Sequence, residues 1–495
     1  MIGELIDRWS GRHADEFTRM AADFRERCRR WPLALPANAR GPRVGVVITP
    51  WMRTAVAFFS LECARELARQ GARPVLLWDE ANVFFNTADR GEVKILRDLL
   101  NLPDGPGPVL DVAATPPDPR VETSFVDQLV YENAVREARG EAGAPALLAR
   151  AGDRALAMRE HAARVHALLL RERFDWLFVP GGVWASSGIW TEMAARQHLP
   201  ITTYDSGAGS LFVCHGGAAA HFPDVAEAFR ALRHLDREPM IADAQAALET
   251  RMAGRDVFKL QPHAAGHAEP PCDLLVPLNY RSDTAALHRQ RAFRSVTHWL
   301  TQLLHWVMDR PGISVAIRQH PCERIPAYRG TDQWREILAP HQERLGARMR
   351  FVAAEDPVNT YDLLAGCRAV LPWTSRAGVE AAMLGKPVVL GTWCYYMGLG
   401  FTADAASPAE YFSALELALE NKSGQSAEAR RDAALIYYII ERRLSLTTSF
   451  TPQPVDYSAW AGRAPARLWS EPAQRVLREA LLSRRPVALL QDGTL

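Results

Sequence analysis

From Arg43 onward the sequence alternates short runs of β-branched and large apolar residues with longer stretches of helical periodicity, and it does so twice. That alternation is the mark of βαβ units feeding a parallel sheet. RVGVVITP (43–50) reads as a buried strand, AVAFFSLECARELARQG (55–71) as a helix closed by Gly71, and RPVLLWDE (73–80) as the next strand. After a Pro/Gly-rich break at 102–119, helical stretches lead to the strand DWLFVPGG (175–182), a helix over 187–199, and the strand PITTYDSG (200–207). The segment QPHAAGHAEPP (261–271) has no periodicity and reads as an interdomain linker. Beyond it DLLVPLNY (273–280), ISVAIRQHP (313–321), MRFVA (349–353), AVLPWT (369–374) and PVVLGT (387–392) are predicted strands with helices between them. The expected fold class is α/β, with two doubly wound domains facing across a cleft. The expected division is an N-terminal domain over 1–262, a C-terminal domain over 272–440, and a helical segment over 441–495 packing back on the others.

A chain of 495 residues has room for two such domains, each with its own core. The formal net charge of +1 supplies no global field toward nucleic acid or anionic lipid. The seven cysteines are scattered and never form a C-x-x-C pair, which argues against a disulfide framework and a zinc knuckle and fits a reducing compartment. The opening MIGELIDRWSGRHADEF carries charges where a signal peptide needs its apolar core, and no run reaches the roughly 18 apolar residues of a membrane span. The expected location is the cytoplasm.

Ligands of doubly wound sheets sit beyond the carboxyl ends of the strands, so polar residues just after strands draw attention. In TSRAGVEAAMLGKPVVLG (374–391), Ser375 can cap a helix starting at Arg376, Gly378 keeps its first turn slim for close approach of a phosphate, and Glu380 can accept from ribose hydroxyls. An ordinary β-turn-α unit with an exposed Arg376–Glu380 pair four apart accounts for the same residues. In RQHPCER (318–324), Arg318 and His320 alternate onto one strand face, where they can pair with phosphate or protonate a leaving group; the plain alternative is a satisfied histidine at a domain edge. In YDSGAGS (204–210), Asp205 is either a general base or nucleophile, or the head of a tight Asx-turn. His263 and His267 lie four apart with no third ligand in view, so no metal site is expected. Walker A, G-x-G-x-x-G, D-x-D and G-x-S-x-G patterns are all missing, and Trp299, Trp306, Tyr437 and Tyr438 recur at the spacing of core residues.

Taken in order, YDSG, LLVPLNYRSDT, RQHP, SRAGVEAAMLGKPVV and YYMGLGFT resemble the capsule-polysaccharide synthesis family of GT-B glycosyltransferases, over roughly residues 175–405. That family includes transferases of Kdo (3-deoxy-manno-octulosonic acid) and has bacterial sialyltransferases as motif relatives. The resemblance implies two Rossmann-like domains, a CMP-linked acidic sugar as donor, and a bacterial surface glycan or its lipid-linked precursor as acceptor. It implies that His320 meets the donor phosphate, that Thr374 and Ser375 supply phosphate-binding hydroxyls, that Glu380 sits on the nucleotide side, and that Asp205 is the catalytic carboxylate, as general base or as nucleophile. Arg53, Arg281 and Arg318 are the candidates to hold the donor carboxylate, because AGSLFVCHGG after Asp205 carries no Lys or Arg. No cofactor, no metal and no nucleic acid are implied, and contact with the inner membrane or an assembly complex would be peripheral. UDP-, GDP- or CDP-linked donors and a non-catalytic nucleotide-sugar-binding subunit are the alternatives. A sugar epimerase of similar two-half build fits less well, since no motif places its paired acids.

Overall fold

The computed structural model describes residues 2–34, 40–81, 89–207, 209–256, 259–326, 328–421, 424–453 and 457–491. They group into two compact units, one built from 1–133, 151–224 and 443–495, the other from 134–150 and 225–442.

The sheet of the first unit contains β1 (Arg43–Ile48), β2 (Arg73–Trp78), β3 (Val109–Asp111), β4 (Trp176–Pro180), β5 (Ile201–Gly207) and β6 (Ser210–His215), completed by Ser445–Thr447. The order is β3-β2-β1-β4-β5-β6 followed by 445–447. β3 through β5 run parallel; β6 is antiparallel to β5, and 445–447 is antiparallel to β6. Continuous apolar sequences explain the central strands, since β1, β2 and β4 are buried on both faces. Phe59, Phe178, Tyr204 and Phe450 pack ring against ring in the core, and Gly71 adopts the left-handed conformation (φ 87°) expected where it ends the first crossover helix.

The second unit holds a parallel sheet of β7 (Cys272–Pro277), β8 (Val315–Arg318), β9 (Met349–Val352) and β10 (Cys367–Val370), ordered β10-β7-β8-β9. A parallel bridge from Val370 to Val388 continues it on the β10 side, next to the short pair Val389–Leu390 and Ala403–Asp404. Trp299 and Trp373 pack together in its core, with the Trp299 indole N–H donating to Tyr411 Oη at 3.0 Å. Trp306 and Tyr437 are buried as well, and Tyr438 is partly exposed. Among the described residues no helix is long and apolar enough to cross a membrane.

The units divide elsewhere than the sequence implied. Residues 225–262 and 134–150 join the second unit, and 443–495 joins the first. The segment 233–252, which contains the helix Glu238–Met252, is bound to its unit by charge: Arg237 and Arg233 donate to Asp432 at 2.9 and 2.8 Å, and Arg251 meets Glu380 at 3.2 Å. The supposed linker 261–271 is itself pinned. Asn359 donates to the His263 carbonyl at 2.7 Å, Thr360 N–H donates to Gln261 Oε1 at 2.9 Å, and Gly266 N–H donates to Asp362 Oδ1 at 2.6 Å. Lack of periodicity signals lack of regular structure there, not lack of contacts.

Candidate functional site

In the second unit the chain runs outward from β7 through β8 to β9, then returns to the other side of β7 as β10. The order reverses between β7 and β10, and in open α/β sheets the crevice beyond the carboxyl ends at such a reversal receives ligands. Asn279 and Tyr280 follow β7 there, His320 follows β8, and Thr374 and Ser375 follow β10. Asn279 ties two of these loops together, accepting from Thr374 N–H at 3.2 Å and donating to Asp283 at 3.0 Å. Thr374 is 5% exposed, and its hydroxyl has no hydrogen-bond partner among the described residues. A buried hydroxyl left without a partner costs stability, which makes this one a mark of a ligand position.

His320 caps the short 3-10 turn Pro321–Arg324, its Nδ1 accepting from Cys322 N–H at 3.2 Å. The proton of the neutral ring is therefore on Nε2, free to donate. Burial, then the positive charges of Arg251, Arg318 and Arg376, push its pKa down to about 4. At neutral pH the site thus offers a neutral N–H donor inside a cationic field, a setting that an anion completes. The Tyr280 ring meets the imidazole edge-on, with centroids 5.5 Å apart.

Arg318 contributes charge rather than a free fork. It is 2% exposed, and its terminal nitrogens donate to the carbonyls of Ala353 and Val358, fastening the loop after β9; burial pulls its pKa down to about 10. Arg281 is also committed, because it is buried between Asp332 at 2.6 Å and Glu141 at 2.5 Å and lies over the Trp334 ring. Arg53 belongs to the first unit and pairs with Asp89 at 2.6 Å. All three candidates for a donor carboxylate therefore already serve the fold.

Ser375 Oγ accepts from Ala377 N–H at 3.3 Å, and the helix starts one residue later than expected, spanning Ala377–Met383. Arg376 and Glu380 do not pair with each other. Arg376 binds Glu441, while the buried Glu380 faces Arg251 at 3.2 Å and takes a hydrogen bond from Tyr361. Gly378 also has a packing reason to be glycine. A Cβ there would stand 2.2 Å from Tyr396 Oη and 3.0 Å from Pro372 Cγ, and that tyrosine is fully buried with its hydroxyl on the Ser375 carbonyl at 2.8 Å. Gly378→Ala is expected to destabilise the protein by about 1–3 kcal/mol through overpacking and to displace Ser375. Urea unfolding checks it, and an unchanged midpoint would refute it.

Asp205 lies in the first unit. Its Oδ1 accepts from Ser206 N–H at 2.7 Å, one residue on and not the two of an Asx-turn, and the chain does not leave the sheet there. β5 continues to Gly207 and turns back as the hairpin partner β6, with Asp205 opposite Phe212. Tyr204 points into the core, its hydroxyl 2.5 Å from Ser60 Oγ, so strand alternation turns Asp205 to the other face, partly exposed. Sequence reading missed Arg251, Asn279 and Tyr280. The last two lie at the end of the predicted strand 273–280, which in the structure stops at Pro277 and leaves them in the loop beyond; Arg251 lies in the segment expected in the other domain and had no local signal.

Residues 220–421 match the family described as "Capsule polysaccharide biosynthesis protein". Among curated proteins none matches the chain. Solved structures similar to it include the β-Kdo 2,4 transferase of KpsC from Thermosulfurimonas dismutans (16% identity, covering 53% of this chain and 80% of that one, TM-score 0.34). The β-Kdo 2,7 transferase of the same protein is 15% identical, covering 62% and 89%, with a TM-score of 0.33. UDP-GlcNAc 2-epimerase from Methanocaldococcus jannaschii is 10% identical, covering 80% and 99%, with a TM-score of 0.24. The segment that carries His320, Thr374, Ser375 and Glu380 is thus the one that is similar to the capsule polysaccharide biosynthesis family.

Proposed function

We propose that this protein is a glycosyltransferase that moves an acidic keto-sugar, Kdo or sialic-acid-like, from a CMP-linked donor to a bacterial surface polysaccharide or its lipid-linked precursor. The observation that carries the reading is the group at the β7/β10 reversal: His320 capping the turn after β8, the Thr374 hydroxyl with no hydrogen-bond partner among the described residues, and the nearby charges of Arg251, Arg318 and Arg376. Such a group suits a phosphate that gains charge as it leaves, because preoriented donors in a cationic, poorly solvated site stabilise that charge without reorganising. His320 Nε2–H and the hydroxyls of Thr374 and Ser375 would meet the phosphate, and Glu380, held by Arg251 and Tyr361, would meet the nucleotide. Asp205 would act on the acceptor hydroxyl as general base, or on the anomeric carbon as nucleophile. With these groups on the phosphate the chemical step needs no divalent ion, and turnover should not rise on adding Mg²⁺ or Mn²⁺. The setting is the cytoplasm, with peripheral contact at the inner membrane face.

Calorimetric titration with CMP, CDP, UDP and GDP, run in parallel on His320→Ala, tests the reading. Selective CMP binding, weakened about tenfold or more in the variant, is the expected outcome for loss of a hydrogen bond to a charged phosphate. Preference for UDP, GDP or CDP would move the protein to another donor class, no nucleotide binding would overturn the reading, and CMP binding without product formation by the isolated chain would favour a non-catalytic subunit.

A further inference from the structure

The pair His263 and His267 does find a third partner in the fold. Gly266, in a conformation that favours glycine (φ 124°), folds the segment back so that the two imidazoles meet edge to face with centroids 4.2 Å apart. Asp362, in the first turn of the helix Thr360–Gly366, comes up beneath them. One ligand atom from each of the three side chains lies within 4.8 Å of the other two. The carboxylate is divided in its duties. Oδ1 accepts from Gly266 N–H at 2.6 Å and His267 N–H at 3.2 Å, whereas Oδ2 has no hydrogen-bond partner among the described residues, although the residue is 3% exposed. His267 Nδ1 is 3.8 Å from that oxygen, too far for a hydrogen bond. A buried carboxylate oxygen aimed at two imidazoles and bonded to neither is a position that a cation satisfies.

We infer that His263, His267 and Asp362 form a binding site for one divalent ion of the zinc class. Two imidazole nitrogens and one carboxylate oxygen are a borderline donor set, suited to zinc and poorly suited to magnesium, which takes six oxygens in an octahedron. His263 Nε2 lies 3.0 Å from the Pro357 carbonyl, the outer hydrogen bond typical of a metal-bound histidine, which leaves Nδ1 as its ligand atom once it turns from the Ala264 carbonyl at 2.8 Å. Bonds of about 2.0–2.1 Å to a tetrahedral ion require the ligand atoms to draw in to roughly 3.4 Å from one another. His267, 65% exposed on an irregular segment, supplies that movement, and its open side leaves the fourth position to water. The ion would staple 261–271 to the turn that also carries Tyr361, the residue that hydrogen-bonds Glu380. Its role is thus to brace the strand-end group, with no part in bond making.

The test uses the full chain, stripped with chelator, freed of it, and titrated with zinc chloride alone while heat and melting temperature are followed. The expected result is one equivalent bound at micromolar affinity or tighter, with a rise in melting temperature. Two variants keep the fold. His267→Ala changes an exposed side chain, and Asp362→Asn retains the Oδ1 acceptor while replacing Oδ2. Both should melt with the stripped parent in the absence of zinc, bind zinc at least tenfold more weakly, and lose the thermal shift. No zinc binding, binding equal in parent and both variants, or an equal shift with magnesium chloride would overturn the assignment.

Discussion

Replacing Arg281 with Met is expected to destabilise the protein by about 3–5 kcal/mol, because it strips the partner from two carboxylates that the fold has already taken out of water. Asp332 meets Arg281 Nε at 2.6 Å with its side chain 1% exposed, and Glu141 meets Nη2 at 2.5 Å with 17% exposed. Arg281 is also what holds the Glu141 pKa down against the burial that would raise it. Glu141 lies in the segment 134–150, so this pair helps bind that excursion of the chain to the second unit. Denaturant unfolding with tryptophan fluorescence measures the loss. If the variant unfolds like the parent but binds donor poorly, Arg281 is a ligand residue after all and the structural assignment fails.

The second large effect belongs to Asp205. Under the proposed mechanism, Asp205→Asn removes the only acidic side chain of the YDSG motif while keeping its size and the Oδ1 acceptor for Ser206 N–H. Turnover should fall by roughly 10²–10⁴-fold, the usual span for loss of an acid–base group, with nucleotide affinity unchanged because the nucleotide side is built on the other unit. Single-turnover transfer and nucleotide titration on one preparation separate the two quantities. Near-normal turnover would remove Asp205 from the mechanism.

Much of the fold was legible because it rests on local pattern. The apolar runs at 43–48, 73–78 and 273–277 are strands, whereas the expected strands 313–321 and 369–374 end at Arg318 and Val370, so His320 and Thr374 stand past strand ends and His320 does not share a strand face with Arg318. What escaped is what depends on distant partners. Nothing local in Arg251, Arg281 or Arg318 distinguishes a guanidinium that meets a ligand from one that fastens a loop. The role of Gly378 is set by Tyr396, 18 positions along the chain, and the hairpin after Asp205 by the pairing of β6, whose Ser210–His215 run was not read as a strand. The third group beside His263 and His267 likewise lies far along the sequence in Asp362.

The first unit is completed by residues that follow the second unit in the sequence. Its edge segment Ser445–Thr447 pairs with β6, Arg27 donates to the carbonyl of Ala461 at 3.2 Å, and Trp469 donates to Glu62, the buried partner of Arg27. Synthesis delivers these only after all of 225–442, so the second unit can be whole while the first still waits for its final strand. During that interval the free edge of β6 is open to pairing with any other strand, and the Arg27–Glu62 pair lacks its lid. A nascent chain of this design therefore carries its greatest risk of mispairing in the unit whose segments lie on both sides of 225–442.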